Sequence, residues 1–390
     1  MIKLSAETAD YVREFIFREK LPTSYTETAR RFYIPLAQRI HRLVGKMNRV
    51  PIIGINGGQG TGKSTCSALV AGLLESLGLR VLVLSIDDLY FPKSVRRSLA
   101  DEVHPLLLTR GVPGTHDMQL FQRIVSVVRG ELVEPDLMVP RFDKGVDDRS
   151  VEGMPIPAEG VDVILFEGWC VGALAQTDGQ LEDPCNTLEK EKDADGQWRS
   201  YVNRQLAEVY AEAFELVDYL VMLKPPGFEA IYEWRGEQEE KLRRRMIEQG
   251  RSDAEAMNDK ELAFFISHYE RLTRHMMDEM PARADEVFLI GMDHEVYSNI
   301  QNPSTTRRYL ISTYLDASLL DESYSWQAAM PALKKLAKRR AVLVLNSSKT
   351  IREMNDLARE LMVVDALCLP FLVAENGGVL AVPNEFGQYD

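Results

Sequence analysis

The sequence predicts an α/β fold built on a parallel sheet with helical crossovers, and three observations point to it. Apolar residues recur at three- and four-residue steps through the first 48 positions, which is the helical period. From residue 50 that period gives way to short β-branched runs, VPIIGIN, VLVLSID and VDVILFE, separated by helical or looped stretches. A glycine-rich stretch, residues 57–64, joins the first of these runs to a long apolar helix.

The helical lead-in, 1–48, is carried by Tyr11, Val12, Phe15 and Ile16, then by Tyr25, Ala29, Phe32, Leu36, Ile40 and Leu43, with a break at Leu21-Pro22. The sheet domain spans 49–297. After the strand PIIGIN comes the helix STCSALVAGLLESLG, and VLVLSID and VDVILFE supply the second and third strands. Residues 176–200 are poor in apolar side chains and read as a surface excursion. A helix from Tyr201 to about Leu216, a fourth strand YLVMLKP, a long Arg- and Glu-rich helical region over 228–280 and a closing strand EVFLIG complete the domain. A linker at 298–308 leads to a second domain, 309–390. There YLISTYLD, AVLVLNS and LPFLVAENGG restart the strand pattern, with helices through WQAAMPALKKLAKRR and TIREMNDLARELM.

At roughly 150 residues per domain, a length of 390 allows two or three domains, and 45% hydrophobic with 27% charged residues is an ordinary globular composition. No run of about 18 apolar residues is long enough to cross a bilayer, and MIKLSAETADYVREF has acidic residues where a secretion signal needs an apolar core. Cytoplasm is the expected location, with no membrane partner. Cys66, Cys170, Cys185 and Cys368 form no C-x-x-C pair, so no zinc site or disulfide framework is expected and all four read as buried thiols. The net charge of -13 disfavours a nucleic-acid partner. All of it lies in the first 305 residues, because 306–390 hold 10 basic and 10 acidic residues.

Gly57-Gly58-Gln59-Gly60-Thr61-Gly62-Lys63-Ser64 satisfies G-x-x-x-x-G-K-S/T between a strand and a helix, the context that a phosphate-binding loop requires. Backbone N–H groups and the positive end of the following helix surround an anion there, and Lys63 adds a mobile charge. Ser64 is the expected Mg²⁺ ligand, and Thr65 follows it on the same helix. Loops of this kind bind nucleoside triphosphates in GTPases, ATPases and small-molecule kinases alike, so the acceptor has to be read elsewhere.

Asp87 and Asp88 end the second strand at the sheet edge where open α/β sheets bind ligands, and one of them is a candidate general base for an acceptor hydroxyl. Glu167-Gly168 ends the third strand, where an acid holds Mg²⁺ through water. Together the three segments resemble the P-loop kinases of small alcohols that include uridine kinase, phosphoribulokinase, pantothenate kinase and D-glycerate 3-kinase, which share S-x-D-D-F/L-Y and a strand ending in F-E-G. Within that group residues 20–295 most resemble the D-glycerate 3-kinases. That likeness is carried by SIDDLY (85–90), HPLLLTRGVPGTHD (104–117), PRFDK (140–144), EGWCVG (167–172) and IYEWRGEQEEKLR (231–243).

The resemblance implies transfer of phosphate from ATP to D-glycerate, with Asp87 as general base, Lys63 and Glu167 in catalysis, and a helical lid over 228–280. Arg235 and Arg243 keep the family's spacing and are its expected phosphate contacts. Arg244 and Arg245 read as a solvated face paired to Glu237 and Glu240. A small hydroxy acid needs cations for its carboxylate, and Arg110, His116, Arg141 and Lys144 are the basic residues on the acceptor side. Tyr90 and Asp117 belong to the same substrate-binding set, although Asp117 equally suits a helix cap for DMQLFQRIVSVVR.

The C-terminal phrases LISTYLDASLLDESYSWQAAMPALKK, AVLVLNSSKTIREMNDLAREL and PFLVAENGG resemble the start of the mannosyl-3-phosphoglycerate phosphatases of the haloacid dehalogenase superfamily. That family opens on D-x-D-G-T, whereas this chain has Tyr314-Leu315-Asp316-Ala317-Ser318. A phenol does not replace a carboxylate nucleophile. Ser347 and Lys349 match the second motif, and the sequence ends before the later ones. An inactive, partial haloacid-dehalogenase-like half-domain is therefore expected, and its uncovered sheet edges suggest a homodimer. The expected function is ATP- and Mg²⁺-dependent phosphorylation of D-glycerate. Its alternatives are a kinase of another small alcohol, a non-catalytic ATP-binding scaffold, or a bifunctional kinase-phosphatase.

Overall fold

The computed structural model describes residues 6–157, 159–248, 257–301, 310–314, 329–331, 333, 342–350, 353–354, 371–374 and 379–381. The chain divides into two compact units, Met1–Asn302 and Pro303–Asp390.

The lead-in of the first unit is α1 (Ala6–Arg18), then α2 (Tyr25–Thr28), which runs through a π turn, Ala29–Tyr33, into α3 (Ile34–Val44). Val12, Phe15, Phe32, Leu36 and Ile40 are buried, as the helical period predicts. The chain continues through β1 (Ile52–Gly57), α4 (Lys63–Glu75), β2 (Val81–Ser85), α5 (Lys93–Glu102) and α6 (Met118–Val128). Four two-residue strands form two small antiparallel pairs: β3 (Met138–Val139) with β6 (Met154–Pro155), and between them β4 (Phe142–Asp143) with β5 (Asp148–Arg149). Then follow β7 (Val163–Gly168), α7 (Asp178–Leu181), α8 (Thr187–Lys192), α9 (Gln197–Gln205), α10 (Ala211–Phe214), β8 (Tyr219–Lys224), α11 (Phe228–Glu248), α12 (Asp259–Glu279), β9 (Glu286–Ile290) and β10 (Val296–Gln301).

The six-stranded sheet has the order β10-β9-β8-β1-β7-β2, parallel except for the β9–β10 pair. Its central strands β1 and β7 are buried at every residue, which explains their nearly continuous apolar sequence. Alternate residues face opposite layers. Ile53, Ile55, Val163, Leu165, Val221 and Leu223 pack with the lead-in and α4, while Ile52, Ile164, Phe166 and Met222 pack with residues of α6, α10 and α12. Each fully buried aliphatic or aromatic side chain of this kind contributes about 1.5–3 kcal/mol. Glu167 of β7 pairs in register with Ile55 of β1 on one side and Ser85 of β2 on the other, so three strand ends finish level at one edge.

Several expectations need correction. Residues 176–200 are no surface excursion: they form α7, α8 and the start of α9, and bury Leu181, Leu188, Trp198, Glu189, Asp193 and Arg199. The charges are accommodated by pairing, Arg199 with Asp193 at 3.0 Å and Arg271 with Glu189 at 2.6 Å, which is the condition under which ionised side chains enter an interior. The region 228–280 is not a lid as a whole. Leu262, Ile266, Tyr269, Leu272 and Met276 bury one side of α12, and Phe228, Ile231 and Trp234 anchor the start of α11. The linker expected from 298 begins later, since 298–301 belong to β10, an edge strand whose solvent side tolerates polar residues. Cys66 and Cys170 are buried, but Cys185 is exposed.

In the second unit β11 (Leu310–Tyr314), β12 (Val342–Asn346) and β13 (Phe371–Ala374) are parallel neighbours, and β14 (Val379–Ala381) pairs antiparallel with β13. Ser347 is buried, and its hydroxyl accepts the Lys349 N–H at 3.1 Å. Asp316, Ala317 and Ser318 lie outside the described residues.

Candidate active site

The glycine-rich loop leaves the end of β1 and enters α4. Gly62 is the N-cap of α4 at φ +81 and Gly60 lies at φ +82, both in the left-handed region that favours glycine. Gly60 has a second constraint, because a Cβ there would come within 2.6 Å of Trp234 Cβ. Trp234 backs the loop together with His294, whose ring lies 4.5 Å away and whose Nδ1 is 3.0 Å from the Gly60 carbonyl oxygen. The loop is braced from within by Thr61, whose hydroxyl donates to the Gly58 carbonyl at 2.8 Å. Gly57, Gly58, Gln59, Gly60, Thr61 and Gly62 thus form one rigid turn, with Lys63, Ser64 and Thr65 opening the helix behind it.

Ser64 Oγ donates to Glu167 Oε1 at 3.1 Å. The other oxygen, Oε2, is buried and accepts no hydrogen bond among the described residues. A serine hydroxyl beside a carboxylate with a spare buried oxygen is a donor set that suits a hard divalent cation.

Asp87 stands after β2. Tyr90 donates its hydroxyl to Asp87 Oδ1 at 3.0 Å, and Lys144 Nζ lies 2.6 Å from Oδ2. Burial would raise this carboxyl, but the charge of Lys144, then that of Lys63, outweighs it and holds the group at about 2. Asp88 has another task. It accepts the Phe142 N–H at 3.1 Å and pairs with Arg141 at 2.6 Å, fastening the small β4–β5 hairpin to the end of β2. Of the two candidate bases, the geometry leaves Asp87 as the one facing the loop cation.

His116 is fully enclosed. It stacks on Tyr90 at 4.5 Å, its Nδ1 lies 2.6 Å from the Tyr210 hydroxyl, and its Nε2 has no partner among the described residues. Burial lowers it to about 3, so it is neutral at ordinary pH. Arg110 pairs with Asp147 and lies 5.4 Å over the Phe142 ring. Asp117 departs from the substrate set: one oxygen caps α6 by accepting the Leu120 N–H at 3.0 Å and the other meets Arg149 at 3.1 Å. The helix-cap reading describes it better.

Arg235 and Arg243 are held within α11. Arg235 pairs with Glu239, and Arg243 bonds Glu240 at 2.9 Å and the Met257 carbonyl at 3.1 Å. Arg244 pairs with Glu240 at 3.0 Å as the helical spacing predicts, and the Arg245 side chain lies outside the described residues. Sequence reading missed Arg96, Asp147, Arg149, Tyr210 and Tyr269. Tyr269 of α12 donates to the Arg110 carbonyl at 3.2 Å and Trp169 donates to the Gly111 carbonyl at 2.9 Å, so β7 and α12 both brace the acceptor loop. No periodicity marks these residues; they matter through contacts distant in sequence.

No family model matches the chain. It is 30% identical over 233 residues, 56% of this chain and 78% of the relative, to the uncharacterized kinase mug58 of Schizosaccharomyces pombe. It is 26% identical over 267 residues to the chloroplastic D-glycerate 3-kinase of Arabidopsis thaliana, covering 63% of this chain and 53% of that protein. A solved D-glycerate 3-kinase from Cryptococcus neoformans superposes with a TM-score of 0.53 at 23% identity over 68% of this chain and 99% of its own. The coverage of the fungal kinase at 30% identity, together with the shared α/β fold, identifies the chain as a kinase of the P-loop family to which D-glycerate 3-kinase and the uridine-kinase-like enzymes belong.

Proposed function

We propose that the chain transfers the γ-phosphoryl group of ATP to the 3-hydroxyl of D-glycerate. The observation that carries this reading is the acceptor side, where a carboxylate base, Asp87, lies among Lys144, Arg110 and the buried neutral His116. A hydroxy acid supplies both groups this arrangement asks for, a hydroxyl for the base and a carboxylate for the cations.

Asp87 Oδ1 is occupied by Tyr90, so Oδ2 is the oxygen that takes the proton, and Lys144 has to leave it first. A bound carboxylate gives the exposed Lys144 ammonium another partner. The acceptor oxygen then bonds to the γ-phosphorus as the bond to the ADP oxygen breaks, and the hydroxyl proton passes to Oδ2. The loop 57–64 with Lys63 holds the transferring phosphates, and Arg235 and Arg243 add charge from α11. Tyr90 fixes the base, His116 Nε2 supplies a hydrogen bond inside the pocket, and Arg141 secures the hairpin that carries Lys144. Ser64 and Glu167 are the residues that would hold Mg²⁺, which when bound neutralises phosphate charge.

The test is a panel of D-glycerate, L-glycerate, pantothenate, uridine and ribulose 5-phosphate, followed by coupled ADP release, with the product carbon assigned by NMR. Turnover restricted to D-glycerate with phosphate on carbon 3 is expected, and Asp87→Asn should lower kcat about 10²–10⁴-fold while ATP still binds. Turnover of a different acceptor, or ATP binding without consumption, would overturn the reading. No phosphatase activity is included for 309–390. No described helix is long and apolar enough to cross a membrane, and a cytoplasmic location belongs to the same proposal. The homodimer suggested by the second unit is checked by sedimentation at micromolar concentration, where a monomer would remove it.

A further inference from the structure

Arg96 of α5 is completely buried, and a buried guanidinium needs both hydrogen-bond acceptors and a counter-charge. It donates to the carbonyls of Phe91 at 3.2 Å, Leu108 at 2.7 Å and Asp147 at 2.6 Å, and its counter-charge is the Asp147 carboxylate at 3.1 Å. Asp147 occupies the turn of the β4–β5 hairpin at φ +57, a left-handed conformation that Asp and Asn adopt more readily than other side-chain-bearing residues. Its second oxygen meets Arg110, and Lys93 Nζ approaches at 3.8 Å.

Asp147 is therefore the joint between a buried cation and an acceptor-side cation. Lys93, Arg96 and Arg110 outnumber Asp147 and its neighbour Asp148 by one positive charge. Arg96 is sealed inside, and the Asp148 carboxylate serves the backbone N–H groups of Lys93 and Arg149, so the uncompensated charge resides on the partly exposed Arg110 and Lys93. Arg110 is also packed over Phe142, whose ring meets Tyr90 edge-on at 5.1 Å, and Tyr90 holds Asp87. One aromatic layer separates this cation cluster from the ring that orients the base.

We propose that Asp147 is a positioning residue for acceptor binding: held by Arg96, its carboxylate stations the Arg110 guanidinium to receive the anionic group of the acceptor. This deepens the anionic-acceptor reading above and rests on it. The loss of Asp147 should act through Arg110 and be felt by the acceptor, not by ATP.

Asp147→Asn keeps the size and the tolerance for φ +57 while removing the charge, and Asp147→Gly keeps the backbone and removes the side chain. Both should raise the KM for D-glycerate about ten-fold and leave the KM for ATP within about two-fold. In an Arg110→Ala background, Asp147→Asn should change the D-glycerate KM less than about two-fold, because the residue it positions is gone. Additive effects, or equal rises in both KM values, would overturn the proposal, as would failure of both single variants to fold. If wild-type enzyme ignores D-glycerate but phosphorylates another anionic alcohol of the panel, the function reading fails and the same variants are measured with that acceptor, the expectations unchanged. Turnover of uridine alone would overturn the positioning role too.

Discussion

Lys144→Met keeps a side chain of similar length and removes the ammonium that lies 2.6 Å from Asp87 Oδ2. Burial pushes the Asp87 carboxyl up from its ordinary 3.8, and the Lys144 charge, followed by that of Lys63, brings it down to about 2. A carboxylate with a depressed pKa adds stability above its unfolded value and loses it as pH falls toward its folded value, so this contribution fades between about pH 4 and pH 2. At about 1.4 kcal/mol per unit the whole effect is about 2 kcal/mol. Lys144 is 61% exposed and only one of the cations involved, so solvent screening reduces the expected loss in Lys144→Met to about 1 kcal/mol at pH 7. Urea unfolding of the first unit can be followed by the fluorescence of Trp169, Trp198 and Trp234. The gap between wild type and variant should be full at pH 7 and 5 and narrow below pH 4. With Lys144 gone, burial gains on the remaining cations, and the acid limb of kcat/KM for D-glycerate should move to higher pH. A stability gap independent of pH, together with an unmoved acid limb, would refute the assignment of Asp87 as the group that Lys144 holds ionised.

Glu167→Gln and Ser64→Ala should each raise the Mg²⁺ concentration for half-maximal activity by about ten-fold or more, as read from initial rates in a Mg²⁺ titration. Gly60→Ala meets both the left-handed φ and Trp234 Cβ, and should abolish measurable ATP binding in calorimetry while the secondary-structure signal persists. His116 is held near 3 by burial, so the unfolded chain takes up its proton first as pH drops below about 6.5, and the native state loses stability from there down to about 3. His116→Gln should therefore show a smaller fall in Tm between pH 7.5 and 5.5 than wild type, and an equal or larger fall would show that another group governs that range.

The sequence by itself determined the strand runs, the glycine loop after β1 and the acids ending β2 and β7. Each depends on neighbours along the chain: β-branched alternation, glycine spacing, an acidic residue directly after an apolar run. It did not show that Glu167, Ile55 and Ser85 share one level of the sheet, because register is set by pairing between strands. Composition misjudged 176–200, where Glu189, Asp193 and Arg199 look solvent-seeking until Arg271 and the Arg199–Asp193 pair make their burial tolerable. The same limit applied to α12, whose apolar side read as part of a closing lid and instead lies in the core. Above all, only the tertiary structure decided what Asp87 faces. Its partners Tyr90, Lys144 and Lys63 lie 3, 57 and 24 residues away, and a field that holds a carboxyl at about 2 exists only once the hairpin and the loop have folded against the same sheet edge.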